Sequence, residues 1–231
     1  MREVHPRAAG DAETLRISLD TKAKVKIGEF SRGGLARGRA AVRAADHDVH
    51  PAAGLAPAGI LEVDSGQLSI VLGASRDTSD FVAECLESWW TDRRAAHPDT
   101  RRLLIDLDNG PEIASSRTQF MKRLVDFADR RQLTLELAYY PPHHSQYNPI
   151  ERCWGILENH WNGALLTSID IALDGARTMT WRGVRPLVQL LEDTYETGVR
   201  LSKAAFQPIA ARLKRSEILP KWSVVIQPNT G

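Results

Sequence analysis

The segment at residues 139–154, YYPPHHSQYNPIERCW, constrains the fold of this chain more than any other segment. Its tyrosines end an apolar run typical of a strand, and two prolines and a polar loop follow. Asn148 suits a helix N-cap, and Pro149 suits the first helical position, where its missing N–H costs nothing. Glu151 then falls at the third position of a helix whose apolar stripe is Ile150, Cys153, Trp154, Leu157 and Trp161. Glu151 is either a functional carboxylate on this first turn or part of a capping box.

The rest of the chain predicts an α/β fold with a mixed sheet. Period-two alternation predicts a first strand that ends at Asp20, followed by a hairpin or continued strand at residues 22–26. Further strands are expected at residues 60–63, 68–72, 101–108 and 133–140, and helices at about 78–96 and 115–131. Hairpin strands come first and helix-crossed strands later, which is typical of a mixed sheet flanked by helices. Beyond residue 165 we expect helices at 184–195 and 203–215 and an extended piece at 222–227.

Composition excludes several classes of protein. No apolar run among the 231 residues approaches the roughly 20 residues of a membrane span, and the N-terminus lacks the apolar core of a signal peptide. Two cysteines are too few for a disulfide framework, so a reducing cytoplasm is expected. The net charge is +1, but residues 21–43 hold seven basic residues against one acid. This stretch is either a phosphate-facing patch or a solvated surface.

Three carboxylates at element ends suggest a metal site. Asp20 and Asp108 end strands that are expected to be neighbours, and the helix after Asn148 could place Glu151 beside them. Clustered carboxylates do not stay ionised together near neutral pH without a cation. Oxygen ligands suit Mg²⁺ or Mn²⁺, and two such ions form a clamp for phosphoryl transfer.

The motif LDNGPE at residues 107–112, followed by YYPPHHSQYNPIERCWG at 139–155, resembles the core of DDE-type transposases of bacterial insertion sequences. The resemblance is to the Rhodopirellula-type group, which is related to mariner-like transposases. It covers nearly the whole chain, and further blocks are DTKAKVKIGEFSRGG, SRDTSDFVAECLESWW, RTQFMKRLVDFAD, TMTWRGVRP and LPKWSVVIQP.

The resemblance implies an RNase H-like fold and metal-dependent cleavage and transfer of DNA strands. Carried over residue by residue, it makes Asp20, Asp108 and Glu151 the catalytic and metal-binding triad, holding two Mg²⁺ or Mn²⁺ ions. The implied partners are insertion-sequence ends, target DNA and further copies of the chain, in a bacterial cytoplasm at the nucleoid. The expected organisation is a disordered N-terminus at residues 1–13, a catalytic domain at 14–165 and a helical extension at 166–231.

Several assignments remain open on the sequence alone. Asp106 lies on the same strand face as Asp108 and is a second candidate ligand. Asp64 competes with Asp20 but sits in a turn motif, which favours a structural role. Lys22, Lys24, Arg32 and Arg117 are candidate phosphate contacts.

Other readings of the motifs are weaker. Zinc at His143, His144 and Cys153 is not favoured, because no further ligand lies at a suitable spacing. An Asp-x-Asp pattern also occurs in glycosyltransferases, but nothing else here indicates a nucleotide-sugar site. No Walker loop is present, so ATP is not implied. The helical tryptophans, Trp154 among them, are predicted to be core residues.

One departure from the family pattern concerns the N-terminus. Family members carry a helix-turn-helix region upstream of the first catalytic Asp, whereas only 19 residues precede Asp20 in this sequence. An N-terminally truncated transposase is therefore expected. The alternatives are an inactive remnant, a non-catalytic protein that binds DNA or its homologue, and a different RNase H-like nuclease.

Overall fold

The computed structural model describes residues 11–34, 44, 53–141 and 148–229. Its strands are β1 Thr14–Thr21, β2 Val25–Ile27, β3 Ala53–Glu62, β4 Leu68–Gly73, β5 Arg102–Leu107, β6 Thr134–Tyr139, β7 Leu187–Leu191, β8 Leu213–Arg215 and β9 Ser223–Ile226. Its helices are α1 Ser79–Arg93, α2 Thr118–Arg131, α3 Glu151–Trp161, α4 Ile169–Thr178 and α5 Lys203–Arg212, with a 3₁₀ turn at Arg94–Ala96.

The strands form one mixed sheet in the order β7-β4-β3-β1-β5-β6-β9-β8, and β2 pairs with β3. β3 is antiparallel to both β1 and β4, whereas β5 and β6 run parallel to β1. The predicted α/β class is confirmed, and the central order β4-β3-β1-β5-β6 is the RNase H-like arrangement. Because β1 and β5 are parallel neighbours, their carboxyl ends meet at the same edge of the sheet.

Helices cover both faces of the sheet. On one face, α1 and α2 pack on Ile17 and Leu19 of β1 through residues such as Phe81 and Phe120. On the other face lie α3 and α4, whose buried side chains include Trp154 and Leu173. Successive side chains of a strand alternate between faces, so Ser18 and Asp20 point toward the α3 side.

The strand β3 begins earlier than the sequence pattern predicts. Residues 44–59 are predicted as a loop, but from Ala53 onward the chain pairs with β2, β4 and β1. Its composition of Ala, Gly and Pro has low strand propensity, and burial between two strands overrides that preference. Pro57 lies beyond the last residue pair of the β1–β3 ladder, where its carbonyl accepts the N–H of Lys22 at 2.9 Å.

The predicted helix at residues 184–195 is wrong, because residues 187–191 form β7, which pairs in parallel with β4. A ladder with β4 satisfies the backbone of this apolar run, and periodicity alone does not distinguish such a short run from a helix. The helix predicted at 203–215 ends at Arg212, and the extended piece at 222–227 is β9. The C-terminal part thus adds strands as well as helices, while the domain division at residue 165 stays a prediction.

Some predictions fall outside the described residues. These are the disorder of residues 1–10, the loops at 35–43 and 45–52, and the reading of His143 and His144 as zinc ligands. Among the helices that are described, none combines the length and the apolar composition of a membrane span.

Candidate active site

Asp20 lies near the end of β1, opposite Gly59 of β3, and its side chain is only 4% exposed. The indole N–H of Trp154 donates a hydrogen bond to Oδ2 of Asp20 at 2.9 Å. Burial raises the pKa of Asp20 to about 8, and the charges of Asp108 and Glu151 act in the same direction. A carboxyl group in this environment ionises at neutral pH only when a positive charge compensates it.

Asp108 follows directly after β5, at the sheet edge where β1 also ends. Its Oδ1 accepts the backbone N–H of Gly110 at 3.0 Å, a local turn bond that orients the carboxylate. The charge of Asp108 raises the pKa values of both Asp20 and Glu151. Asp108 is therefore the group to which the other two acids are electrostatically coupled.

Glu151 is the first residue of α3, not the third as the sequence predicts, and no side chain caps this helix. Burial, followed by the charge of Asp108, raises the pKa of Glu151, while Lys22 opposes the shift. No capping box forms here, so the purely structural reading of Glu151 is not supported by its contacts.

Asn148 has a different role from the predicted N-cap. It is fully buried, and its Oδ1 accepts a hydrogen bond from the Ser18 hydroxyl. The same hydroxyl oxygen accepts the backbone N–H of Ile150 at 3.2 Å. The prediction fails because a strand residue 130 positions earlier competes for the Asn148 side chain. Ser18 consequently attaches the residues before Glu151 to the strand that carries Asp20.

Asp106 is fully buried on β5, between Ser18 of β1 and Ala138 of β6. Its Oδ2 lies 2.7 Å from Nη2 of Arg16 and 2.9 Å from Nε. Burial raises the pKa of Asp106 to about 6, and Arg16 opposes this shift. Asp106 thus has a basic partner of its own, which distinguishes it from Asp108. Asp64, the alternative to Asp20, is exposed in the turn between β3 and β4.

Three of the four candidate phosphate contacts are paired with acids. Lys22 and Arg32 both contact Glu158, at 3.1 and 2.7 Å, and Arg117 contacts Glu112 at 2.9 Å. The Arg32 guanidinium also lies 5.1 Å from the ring centroid of Trp161. Lys24 is exposed, and its charge acts on Asp77. Contact of these residues with DNA stays a prediction.

Sequence reasoning missed two residues beside the three acids. Trp154 was predicted to be a core residue, yet its indole binds Asp20. Asp77 precedes α1 and is bonded by the side chain of Thr21; burial raises its pKa, as do the charges of Glu112 and Asp108. The position of Asp77 at the end of the loop from β4 to α1 was the available signal, but it is unspecific in sequence.

The donor atoms of this site are all oxygens, which suits a hard divalent cation. Two of the three acids feel the charge of Asp108, so a cation among them would relieve repulsion that the protein alone leaves uncompensated. Within the ranges that the structure describes, no three His, Cys, Asp or Glu side chains are already close enough together to hold one ion. The residues therefore fit a divalent ion by chemistry and charge, without forming a closed cage.

Comparison with known proteins gives one match to a family. Residues 4–228 match the profile of the family described as the Rhodopirellula transposase DDE domain. A comparison with curated protein sequences finds no match.

Three solved structures are similar at low identity. The simian T-cell lymphotropic virus intasome with the PP2A regulatory subunit B56 gamma gives 16% identity over 69% of this chain and 45% of that one, with a TM-score of 0.42. The HTLV-2 integrase catalytic core domain with magnesium gives 14% over 70% and 81%, with 0.38. The Mos1 transposase paired-end complex with the left transposon end gives 8% over 73% and 47%, with 0.45. The chain thus spans less than half the length of the intasome and Mos1 chains that it matches.

Proposed function

The chain belongs to the Rhodopirellula-type DDE transposase family, and we propose that it cuts and joins DNA strands at the ends of an insertion sequence. We assign Asp20, Asp108 and Glu151 as its catalytic carboxylates. The observation that supports this assignment most is their electrostatic coupling, because the charges of both Asp108 and Glu151 raise the pKa of buried Asp20. Uncompensated acids of this kind concentrate at functional sites.

We propose that the three carboxylates bind Mg²⁺ or Mn²⁺, two ions in the complete site. When bound, such ions activate the attacking water or 3′-hydroxyl and neutralise charge on the leaving oxygen. The carboxylates of Asp20, Asp108 and Glu151 would hold the ions, and the protein would orient each carboxylate through its own contacts. The Gly110 N–H fixes Asp108, and the Ser18 and Asn148 side chains fix the start of α3.

Asp106 is proposed to support the sheet. Its ion pair with Arg16 neutralises a fully buried carboxylate next to β1. Removing one partner of such a pair is strongly destabilising, because the other charge is left buried and uncompensated. Asp108 has no comparable basic partner, which favours it as the ligand.

DNA is the proposed substrate, and the bacterial nucleoid in the cytoplasm is the proposed place of action. Lys24 and Lys26 are exposed on the segment that follows Asp20, where they could contact backbone phosphates. Joining two element ends to one target requires more than one active site, so a homo-oligomer is proposed as the working form.

The test is nicking of a supercoiled plasmid by purified protein with Mg²⁺ or Mn²⁺. Asp108→Asn and Glu151→Gln should lower the rate by more than the roughly 10–100-fold that loss of an outer-shell residue costs. DNA affinity should stay largely intact, because neither change removes a positive charge. Asp64→Asn is the matched control and should cut like the wild type.

The Asp106→Asn variant separates the two adjacent aspartates. It should be less stable but still cut DNA at temperatures where it is folded. Metal-dependent cutting that survives in Asp108→Asn would contradict the assignment. A folded wild type that binds DNA without cutting it would indicate a non-catalytic binding protein.

A further inference from the structure

The hydrogen bond between Trp154 and Asp20 links two elements of the proposed site. Trp154 lies three residues after Glu151, so the two side chains are on the same face of α3. One helix thus carries a carboxylate of the site and also the donor that binds a second carboxylate on β1 at 2.9 Å. Both Trp154 and Asp20 are 4% exposed, so water does not compete for this bond.

The indole N–H groups of the other buried tryptophans differ from that of Trp154. Among the described residues, no hydrogen-bond partner is found for Nε1 of Trp89, Trp90, Trp161 or Trp181. Burial of an indole in this protein therefore does not by itself bring a partner to its N–H. The bond from Trp154 to a carboxylate of the site is specific to that position.

The strand opposite Asp20 accommodates this indole. Gly59 pairs with Asp20, and a Cβ atom on Gly59 would lie 2.7 Å from Cδ1 of Ile150 and 2.8 Å from the Trp154 ring. A residue larger than glycine would displace the start of α3 or the indole. The close approach of α3 to β3 is thus a condition for the bond to Asp20.

We infer that Trp154 is a positioning residue for catalysis, whose indole N–H fixes the orientation of the Asp20 carboxylate for a divalent ion. The inference rests on the proposed function. With Oδ2 held by the indole, the carboxylate cannot rotate away without losing a charge-assisted bond. Loss of an outer-shell partner of this type typically weakens metal affinity about 10–100-fold.

The experiment uses the full chain and measures Mn²⁺ binding by calorimetry for wild type, Trp154→Phe and Trp161→Phe. Both substitutions keep an aromatic ring at a buried position of α3, but only the first removes an indole N–H that is hydrogen-bonded. We expect the dissociation constant for Mn²⁺ to rise about 10–100-fold in Trp154→Phe and to stay within about twofold in Trp161→Phe. Thermal unfolding of each metal-free variant shows whether it is folded.

A second readout uses the indole N–H resonances in NMR spectra. The Trp154 resonance, assigned by its absence in Trp154→Phe, should move when Mg²⁺ is added and also in Asp20→Asn, whereas the Trp161 resonance should not. Equal Mn²⁺ affinity in the two phenylalanine variants, with an unmoved Trp154 resonance, would overturn the inference alone. A folded wild type that binds no divalent ion would overturn the proposed function, and the inference with it.

Discussion

At the scale of single residues, the site is defined by charge that the protein leaves uncompensated. Arg16 neutralises Asp106, and Arg93 neutralises the buried Glu62. Asp20 instead receives only the neutral indole N–H of Trp154 and a backbone bond at Thr21. Most buried acids in folded proteins are paired, so an exception next to two further acids indicates a site for a cation.

The first prediction concerns the pH dependence of stability without metal. The carboxyl of Asp20 has an ordinary pKa of 3.8, which the fold raises to about 8. Between these values the folded state holds the proton more tightly than the unfolded state, so stability falls as the pH rises. We expect the unfolding temperature in a chelator to fall less steeply from pH 5 to pH 8 in Asp20→Asn than in wild type.

Asp64→Asn serves as the control, because it changes an exposed aspartate in a turn. It should keep the steep pH dependence of the wild type. The same slope in Asp20→Asn and wild type would show that Asp20 is not held in a destabilised charged state. Addition of Mg²⁺ should stabilise the wild type more at pH 8 than at pH 6.

At the scale of elements, the site depends on how closely α3 approaches the sheet. Ser18 binds Asn148 and the backbone N–H of Ile150, which anchors the start of α3 to β1. Trp154 fills the space above Gly59 on β3. These contacts place Glu151 relative to Asp20, because each connects the helix to β1 or to its neighbour.

The second prediction tests this close approach with two glycines of the same strand. Gly59→Ala places a methyl group 2.7 Å from Ile150 and 2.8 Å from Trp154. Such overpacking should cost about 1–3 kcal/mol of unfolding free energy and should also reduce DNA nicking. Denaturant unfolding and the plasmid assay measure the two effects.

Gly54→Ala is the matched control, since no atom lies within 4 Å of a Cβ atom built there. It should leave both stability and nicking close to those of the wild type. If the two alanine variants behave alike, the approach of α3 to β3 is not what positions the site.

At the scale of the whole molecule, the C-terminal part completes the core and supports the site loop. β9 pairs with β6, and Val224 and Ile226 are fully buried against the α1 and α2 face. Arg215 donates to the carbonyl of Ser115, and the Ser115 hydroxyl donates to the carbonyl of Lys221. These bonds hold the loop that connects Asp108 to α2, so the C-terminal part contributes to the geometry around Asp108.

The third prediction compares two isoleucines of this C-terminal part. Ile226→Ala removes a fully buried side chain and should lower the unfolding free energy by about 2–5 kcal/mol. Ile218→Ala changes a side chain that is 87% exposed and should stay within about 0.5 kcal/mol of wild type. Calorimetric or denaturant unfolding decides the comparison, and equal stability of the two variants would mean that β9 is not part of the folding core.

Local sequence determined which residues stand at the ends of elements. Alternation in β1 and the apolar run of β5 depend on neighbouring residues only, so Asp20 and Asp108 were identified as strand-end carboxylates, and Glu151 as a residue of the first helical turn. Long-range pairing decided the remainder. Asp106 and Asp108 are indistinguishable by spacing, and only the position of Arg16 on β1 separates them. The role of Asn148, the indole bond of Trp154 and the strand β7 likewise depend on partners more than 100 residues away. Propensity is a property of a segment, whereas hydrogen bonds and charge compensation depend on which segments the fold brings together.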